Sequence, residues 1–261
     1  MNLSELLRII REHLDAEPLV LYIHGSRAYG YAHEGSDYDI RGIFIERNPE
    51  VYLSPMAEYR EDARLEEPPY DIHLWELRKF VRLLVGYNPI VYELLHLEPI
   101  YVAPKYDRYC GEMLELSRVV IKKFPLSKLH YHYYGMFRSW LKYLLDKRVK
   151  KAILHVVRCF LAIAYMTKYR EPPPIRLSDL SHMLREEYPE VTRYAEYLLE
   201  RTRKGKDFDV SEAIVNYIRR ELSKMYPPKF EKIATKPELL RIDSICMSIL
   251  RRHICSLSPR Q

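Results

Sequence analysis

The chain has 261 residues, 48% of them hydrophobic, and 42 Lys and Arg stand against 36 Asp and Glu for a net charge of +6. That length and apolar content can bury one sizeable core or two smaller ones, which excludes an extended disordered chain. Cys110, Cys159, Cys246 and Cys255 show no Cys-x-x-Cys spacing, which excludes a zinc ribbon or a disulfide framework and predicts free thiols.

From the N-terminus, residues 3 to 14 are amphipathic, with Glu5, Arg8, Arg11 and Glu12 interrupting the apolar positions, so they read as a helix and not as a signal peptide. No apolar run is expected to reach membrane-spanning length, and the expected location is the cytoplasm, without a membrane partner. Residues 19 to 24 read as a buried strand, and the Gly25-Ser26 turn after it leaves backbone N–H groups free to approach a phosphate. A second strand is expected over 38 to 46. Asp37 and Asp39, two residues apart at its start, project from one face and suit hard cations such as Mg²⁺, whose remaining ligands come from water and nucleotide phosphates. A P-loop is excluded, because Gly30-x-x-x-x-Gly35-Ser36 lacks the Lys that its phosphate cradle needs.

Residues 70 to 75 alternate as a third strand, and the charged segment around Glu58, Glu61 and Asp62 reads as loop. Helices are expected near 76–86, 89–97, 107–123, 126–145, 149–168, 178–186, 189–203, 210–224 and 236–254, separated by Pro125, Pro172-Pro173-Pro174, Gly205 and Pro227-Pro228. The fold class is therefore α+β: a small mixed β-sheet lobe over residues 1–105, then a helical bundle over 106–261. Charge divides the same way. Residues 1–105 hold 11 Lys and Arg against 18 Asp and Glu, whereas 106–261 hold 31 against 18. The basic half suits the phosphates of a polynucleotide, or else is a solvated helical surface. His130-Tyr131-His132-Tyr133-Tyr134 reads as core ahead of a base-stacking platform. Only four Asn and one Gln occur, and a scarcity of thermolabile amides is expected of a thermophilic source.

The strings Gly25-Ser26-Arg27-Ala28-Tyr29-Gly30 and Ser36-Asp37-Tyr38-Asp39-Ile40-Arg41-Gly42 resemble the DNA polymerase β-type nucleotidyltransferase superfamily, and within it the subgroup associated with RNA repair operons. Leu77-Arg78-Lys79-Phe80, Asn88-Pro89 and Tyr92-Glu93-Leu94-Leu95 are similar to a second block of that subgroup, and Lys151, His155 and Arg158 to its helical region. The resemblance implies a polymerase β-like palm and metal-dependent transfer of a nucleoside monophosphate from an NTP to an acceptor hydroxyl, with Mg²⁺ or Mn²⁺ as cofactor. The acceptor it implies is a tRNA or damaged RNA end. The alternatives are adenylylation of a partner protein, an idle RNA-binding module and, from Arg148 and His155, a HEPN-type ribonuclease. The resemblance also implies a third carboxylate on a later strand, for which Asp71 is chosen over Glu58, Glu61 and Asp62. Asp37, Asp39 and Asp71 are thus the expected catalytic and metal-ligating residues, and Gly25, Ser26, Arg27, Arg41, Lys151, His155 and Arg158 the expected nucleotide-binding ones. Arg27 and Arg41 fit phosphate or a neighbouring carboxylate equally well. Lys151, His155 and Arg158 lie four and three residues apart, one helical stripe. Neither the NTP nor the oligomeric state follows from the sequence.

Overall fold

The structure, a computed structural model, describes residues 1–54, 56–58, 60–227 and 236–256. Its contacts divide the chain into two compact units, each interrupted in sequence.

The first unit gathers Met1–Gly25, Asp37–Lys123 and the last helix. It opens with α1 (Leu3–His13), capped by the Asn2 side chain, which accepts from Glu5 N. The strands are β1 (Ala16–Ile23), β2 (Tyr38–Glu46), β3 (Asp62–Glu67), β4 (Tyr70–Glu76) and β5 (Tyr101–Val102), in the sheet order β3-β4-β2-β1-β5. β2 and β4 run parallel; the other neighbours are antiparallel. The mixed sheet and the α+β class agree with the sequence reading, while β3 and β5 were not expected as strands.

Alternation fixes the two faces of this sheet. Ile40, Phe44, Ile72 and Leu74 point to a core closed by Leu6, Ile9 and Ile10 of α1. The opposite face carries Asp39, Arg41, Ile43 and Ile45 of β2 beside Asp71, His73 and Trp75 of β4. Its later part is buried at Ile43, Ile45 and Trp75, where α3 (Leu77–Val85) packs. The buried Glu76 carboxylate caps α3, accepting from Arg78 N and Lys79 N. α4 (Pro89–Leu95) starts as its sequence dictates, with Pro in the first turn and Asn88 accepting from Ile90 N and Val91 N. α5 (Asp107–Ile121) and the C-terminal helix pack against each other.

The second unit gathers Ser26–Ser36 and the helices after Phe124. The Gly-Ser turn expected after β1 is instead a short helix, α2 (Gly25–Tyr29). Then come α6 (Leu126–Lys147), α7 (Ala152–Tyr169), α8 (Leu177–Met183), α9 (Pro189–Arg203) and α10 (Glu212–Leu222), while α11 (Lys236–Cys255) returns to the first unit. α7 is the core of the helical unit and packs against α6, α8, α9 and α10. Two expectations change here. The boundary placed at 105/106 falls after Lys123, because the apolar face of α5 is covered by α11. And an apolar run of spanning length does exist: α7 has 18 residues at mean hydropathy 1.3, yet 78% of it is buried inside the fold, as in a core helix.

Candidate active site

The parallel register of β2 and β4 sets Asp39 directly beside Asp71, with Arg41 beside His73 one pleat further. Adjacent strands lie ~4.8 Å apart, so paired side chains on one face are close neighbours. Asp71 is thus the register neighbour of Asp39, and its negative charge bears on the Asp39 carboxyl. Arg41 answers their charge: its Nη2 donates to Asp71 Oδ2 at 2.9 Å and lies 3.6 Å from Asp39 Oδ1, while Nη1 donates to the Asp71 carbonyl at 2.9 Å. The equal choice left for Arg41 thus resolves toward a carboxylate partner in this state.

Burial, then the negative charge of Asp71, pushes the Asp39 carboxyl above the usual aspartate range, and Arg41 opposes the shift. A carboxyl raised in the fold stabilises it while protonated and loses that contribution as pH rises through its folded value, so the ionised Asp39 costs stability at neutral pH. Such shifts collect where charge is held for chemistry.

Gly25 fits this centre for two separate reasons. Its φ is +60°, and a Cβ added there would lie 2.0 Å from Asp39 Oδ2. No residue but glycine lets the backbone pass so close to the carboxylate. Behind it, His24 N donates to the Asp39 carbonyl at 2.8 Å, and His24 Nε2 meets Glu93 Oε2 of α4 at 3.0 Å in a buried pair. Glu93 sits inside the string Tyr92-Glu93-Leu94-Leu95, but its pairing with His24 was not expected from the sequence.

Asp37 is exposed just ahead of β2. Among the described residues no three His, Cys, Asp or Glu side chains converge as a preformed metal centre. The donor chemistry still fits a hard cation, which would take Asp39 and Asp71 from the protein and complete its shell with water and phosphate.

Ser26, Arg27, Lys151, His155 and Arg158 belong to the helical unit. Ser26 and Arg27 lie in α2; the Ser26 carbonyl accepts from Tyr31 N, and Arg27 Nη2 donates to the Ser36 carbonyl at 2.5 Å, bracing the 26–36 loop. Lys151 is exposed at the start of α7 and reaches His33 Nε2 at 3.4 Å. His155 meets the Tyr31 hydroxyl through Nδ1 at 2.9 Å and stacks on Trp140 with ring centroids 4.0 Å apart. Arg158 is 0% exposed, its guanidinium 3.6 Å over the Tyr29 ring and 5.4 Å from that of Tyr133, and it reaches the Ile175 carbonyl. Arg158 is therefore corrected from a phosphate ligand to a buried packing cation, because its helix is enclosed on that side. The three motif residues of α7 all meet the loop that α2 begins.

Residues 2–248 match the model of the RNA repair pathway DNA polymerase beta family. The chain belongs to that family. As a member it is an enzyme of nucleotidyl transfer, of the polymerase β-like class. It is 33% identical over 223 residues to the uncharacterized protein YcgL of Bacillus subtilis (strain 168), covering 82% of each chain. It is also similar to a crystal structure of a nucleotidyltransferase-like protein from Exiguobacterium sibiricum 255-15, at 12% identity over 97% of this chain and 77% of that one. The TM-score of 0.28 is too low for that likeness to bear on function.

Proposed function

We propose that this family member transfers a nucleoside monophosphate from an NTP to a terminal hydroxyl of RNA and releases pyrophosphate. The observation that carries the reading is the Asp39–Asp71 pair on adjacent parallel strands, with Gly25 against Asp39. In the reaction a bond forms between the acceptor oxygen and the α-phosphorus, and the bond from that phosphorus to the bridging oxygen of pyrophosphate breaks. Mg²⁺ or Mn²⁺ held by Asp39 and Asp71 would supply charge neutralisation on the phosphates. Asp71 orients the acceptor hydroxyl and takes its proton. Arg41 keeps the Asp71 carboxyl in place, and Asp37 extends the donor set when the triphosphate is bound. The preference for RNA rests on the family's description and on the basic excess of residues 106–261.

The test is transfer of α-³²P label from each NTP, with Mg²⁺ or Mn²⁺, into RNA bearing a free 3′ hydroxyl, in the presence of total cell protein. Label on RNA, abolished by Asp39→Asn and by Asp71→Asn, is expected. The Asp39→Asn protein should be no less heat-stable at pH 7 than the parent, since a carboxylate that costs stability is removed. Label on protein instead would move the acceptor to a partner side chain, and label unaffected by both substitutions would sink the reading.

A further inference from the structure

The helical unit carries a groove of about 410 Å³ lined by the end of α6, the turn at 148–150 after it, and the first turns of α10. Its floor is apolar: Leu144 and Val215 are buried, with Val210 half-buried and Leu145 exposed beside them. Its rim is cationic, formed by Arg148, Lys150 and Arg219, with Glu212 as the one carboxylate on the lining. Lys150 is already paired with Asp207, Nζ to Oδ2 at 2.5 Å. Among the described residues the Arg148 and Arg219 guanidinium groups have neither ion pair nor hydrogen bond, and both residues are exposed.

Arg148 is also held at φ +54°, ψ 29°, closing α6 in a left-handed conformation where glycine is the usual residue. An apolar floor with two free forks of donors above it, and the Asn216 amide at its edge, matches one ligand class: a nucleotide unit with an unpaired base and a flanking phosphate. The volume falls within the range of small-ligand sites.

We propose that this groove is the subsite for a single-stranded nucleotide of the RNA acceptor, base on the Leu145–Val215 floor and phosphate on Arg148 and Arg219. The inference rests on the RNA reading above and deepens it by giving the acceptor strand a place to be held.

The test is binding of a fluorescent oligouridylate across a salt titration, using the Asp39→Asn protein so that no turnover occurs. Arg148→Gly and Arg219→Ala should each weaken binding on the order of tenfold and lower the slope of log K against log salt by about 0.7. Arg148→Gly relieves the left-handed strain, so its melting temperature should hold or rise while affinity falls, which separates binding from folding. Leu145→Glu should weaken binding as well, and Arg8→Ala, on α1, should leave it unchanged. If oligouridylate binds all variants alike, the groove is not the subsite although RNA remains the acceptor. If the parent binds no oligouridylate and label goes to protein, the groove and the RNA reading fall together.

Discussion

The strand site and the helix site make a useful contrast, since both were marked by motif residues at regular spacing. On β2 and β4 a period of two, doubled by parallel pairing, brings Asp39, Asp71, Arg41 and His73 onto one face that stays partly open; the Asp39 and Asp71 side chains are 29% and 41% exposed. On α7 the spacing of Lys151, His155 and Arg158 also defines one stripe, yet it runs from an exposed Lys to an Arg with no exposure at all. Periodicity tells which residues share a face. It does not tell which part of that face its neighbours cover, and a central helix is covered along most of its length.

The largest effect that bears on this contrast is expected at Gly25. Gly25→Ala puts a Cβ 2.0 Å from Asp39 Oδ2, so the carboxylate must move, and the positive φ adds about 1–2 kcal/mol of backbone cost. A displacement of ~1 Å at the reacting centre lowers rates by roughly 10²-fold. Turnover measured beside thermal melting should therefore show a loss of activity far larger than a fall of a few degrees explains. Parental activity in the Gly25→Ala protein would mean that Asp39 is not where the chemistry depends on it.

Arg158 should behave in the opposite way. Its guanidinium is desolvated against Tyr29, where a cation–π contact contributes about 2 kcal/mol, and truncation adds a cavity. Arg158→Ala should thus cost roughly 2–4 kcal/mol in denaturant unfolding, while the protein that remains folded at low temperature keeps its KM for NTP within a few-fold. A KM raised by orders of magnitude with unchanged stability would restore Arg158 to the phosphate. Lys151→Ala and His155→Ala sharpen the comparison, since each removes a contact to the 26–36 loop and should lower kcat more than it lowers stability.

What the sequence made legible follows from the same physics. The order of most elements could be read because their signals are local: Asn88-Pro89 and Ser211 mark helix starts, and the apolar alternation of 38–46 and 70–75 marks strands. The Asp39–Asp71 pairing was anticipated only as a choice of carboxylate, because register between strands distant in sequence is set by tertiary contact. β3 was read as loop since Asp62, Arg64, Glu66 and Glu67 dilute any apolar pattern. As an edge strand bonded only to β4, it tolerates those charges. The return of α11 to the first unit is invisible to composition, because a helix of mixed character reads alike in either place.

That charged edge supplies the smallest effect, one that tests whether the strand unit is also held by electrostatics away from its reactive pair. Burial alone would raise the Asp62 carboxyl, but hydrogen bonds from His73 Nε2, at 2.7 Å, and from the Lys79 ammonium outweigh it and hold the group below its ordinary value. Burial pushes the His73 imidazole down, against the bond to Asp62, so the neutral ring donates from Nε2 at pH 7. A carboxylate depressed in the fold contributes stability above the unfolded Asp value near ~4, and the contribution fades as pH falls through the lower folded value. Asp62→Asn should therefore cost about 1 kcal/mol in urea unfolding at pH 7, with the gap to the parent narrowing as the titration moves below pH ~4. By contrast, the raised carboxyl of Asp39 predicts that Asp39→Asn gains relative to the parent as pH rises from the unfolded Asp value through the higher folded one. Two aspartates on one sheet, one at the edge and one at its centre, should thus show pH dependences of opposite sign, and parallel curves would show that the strand pairing does not set their charge states.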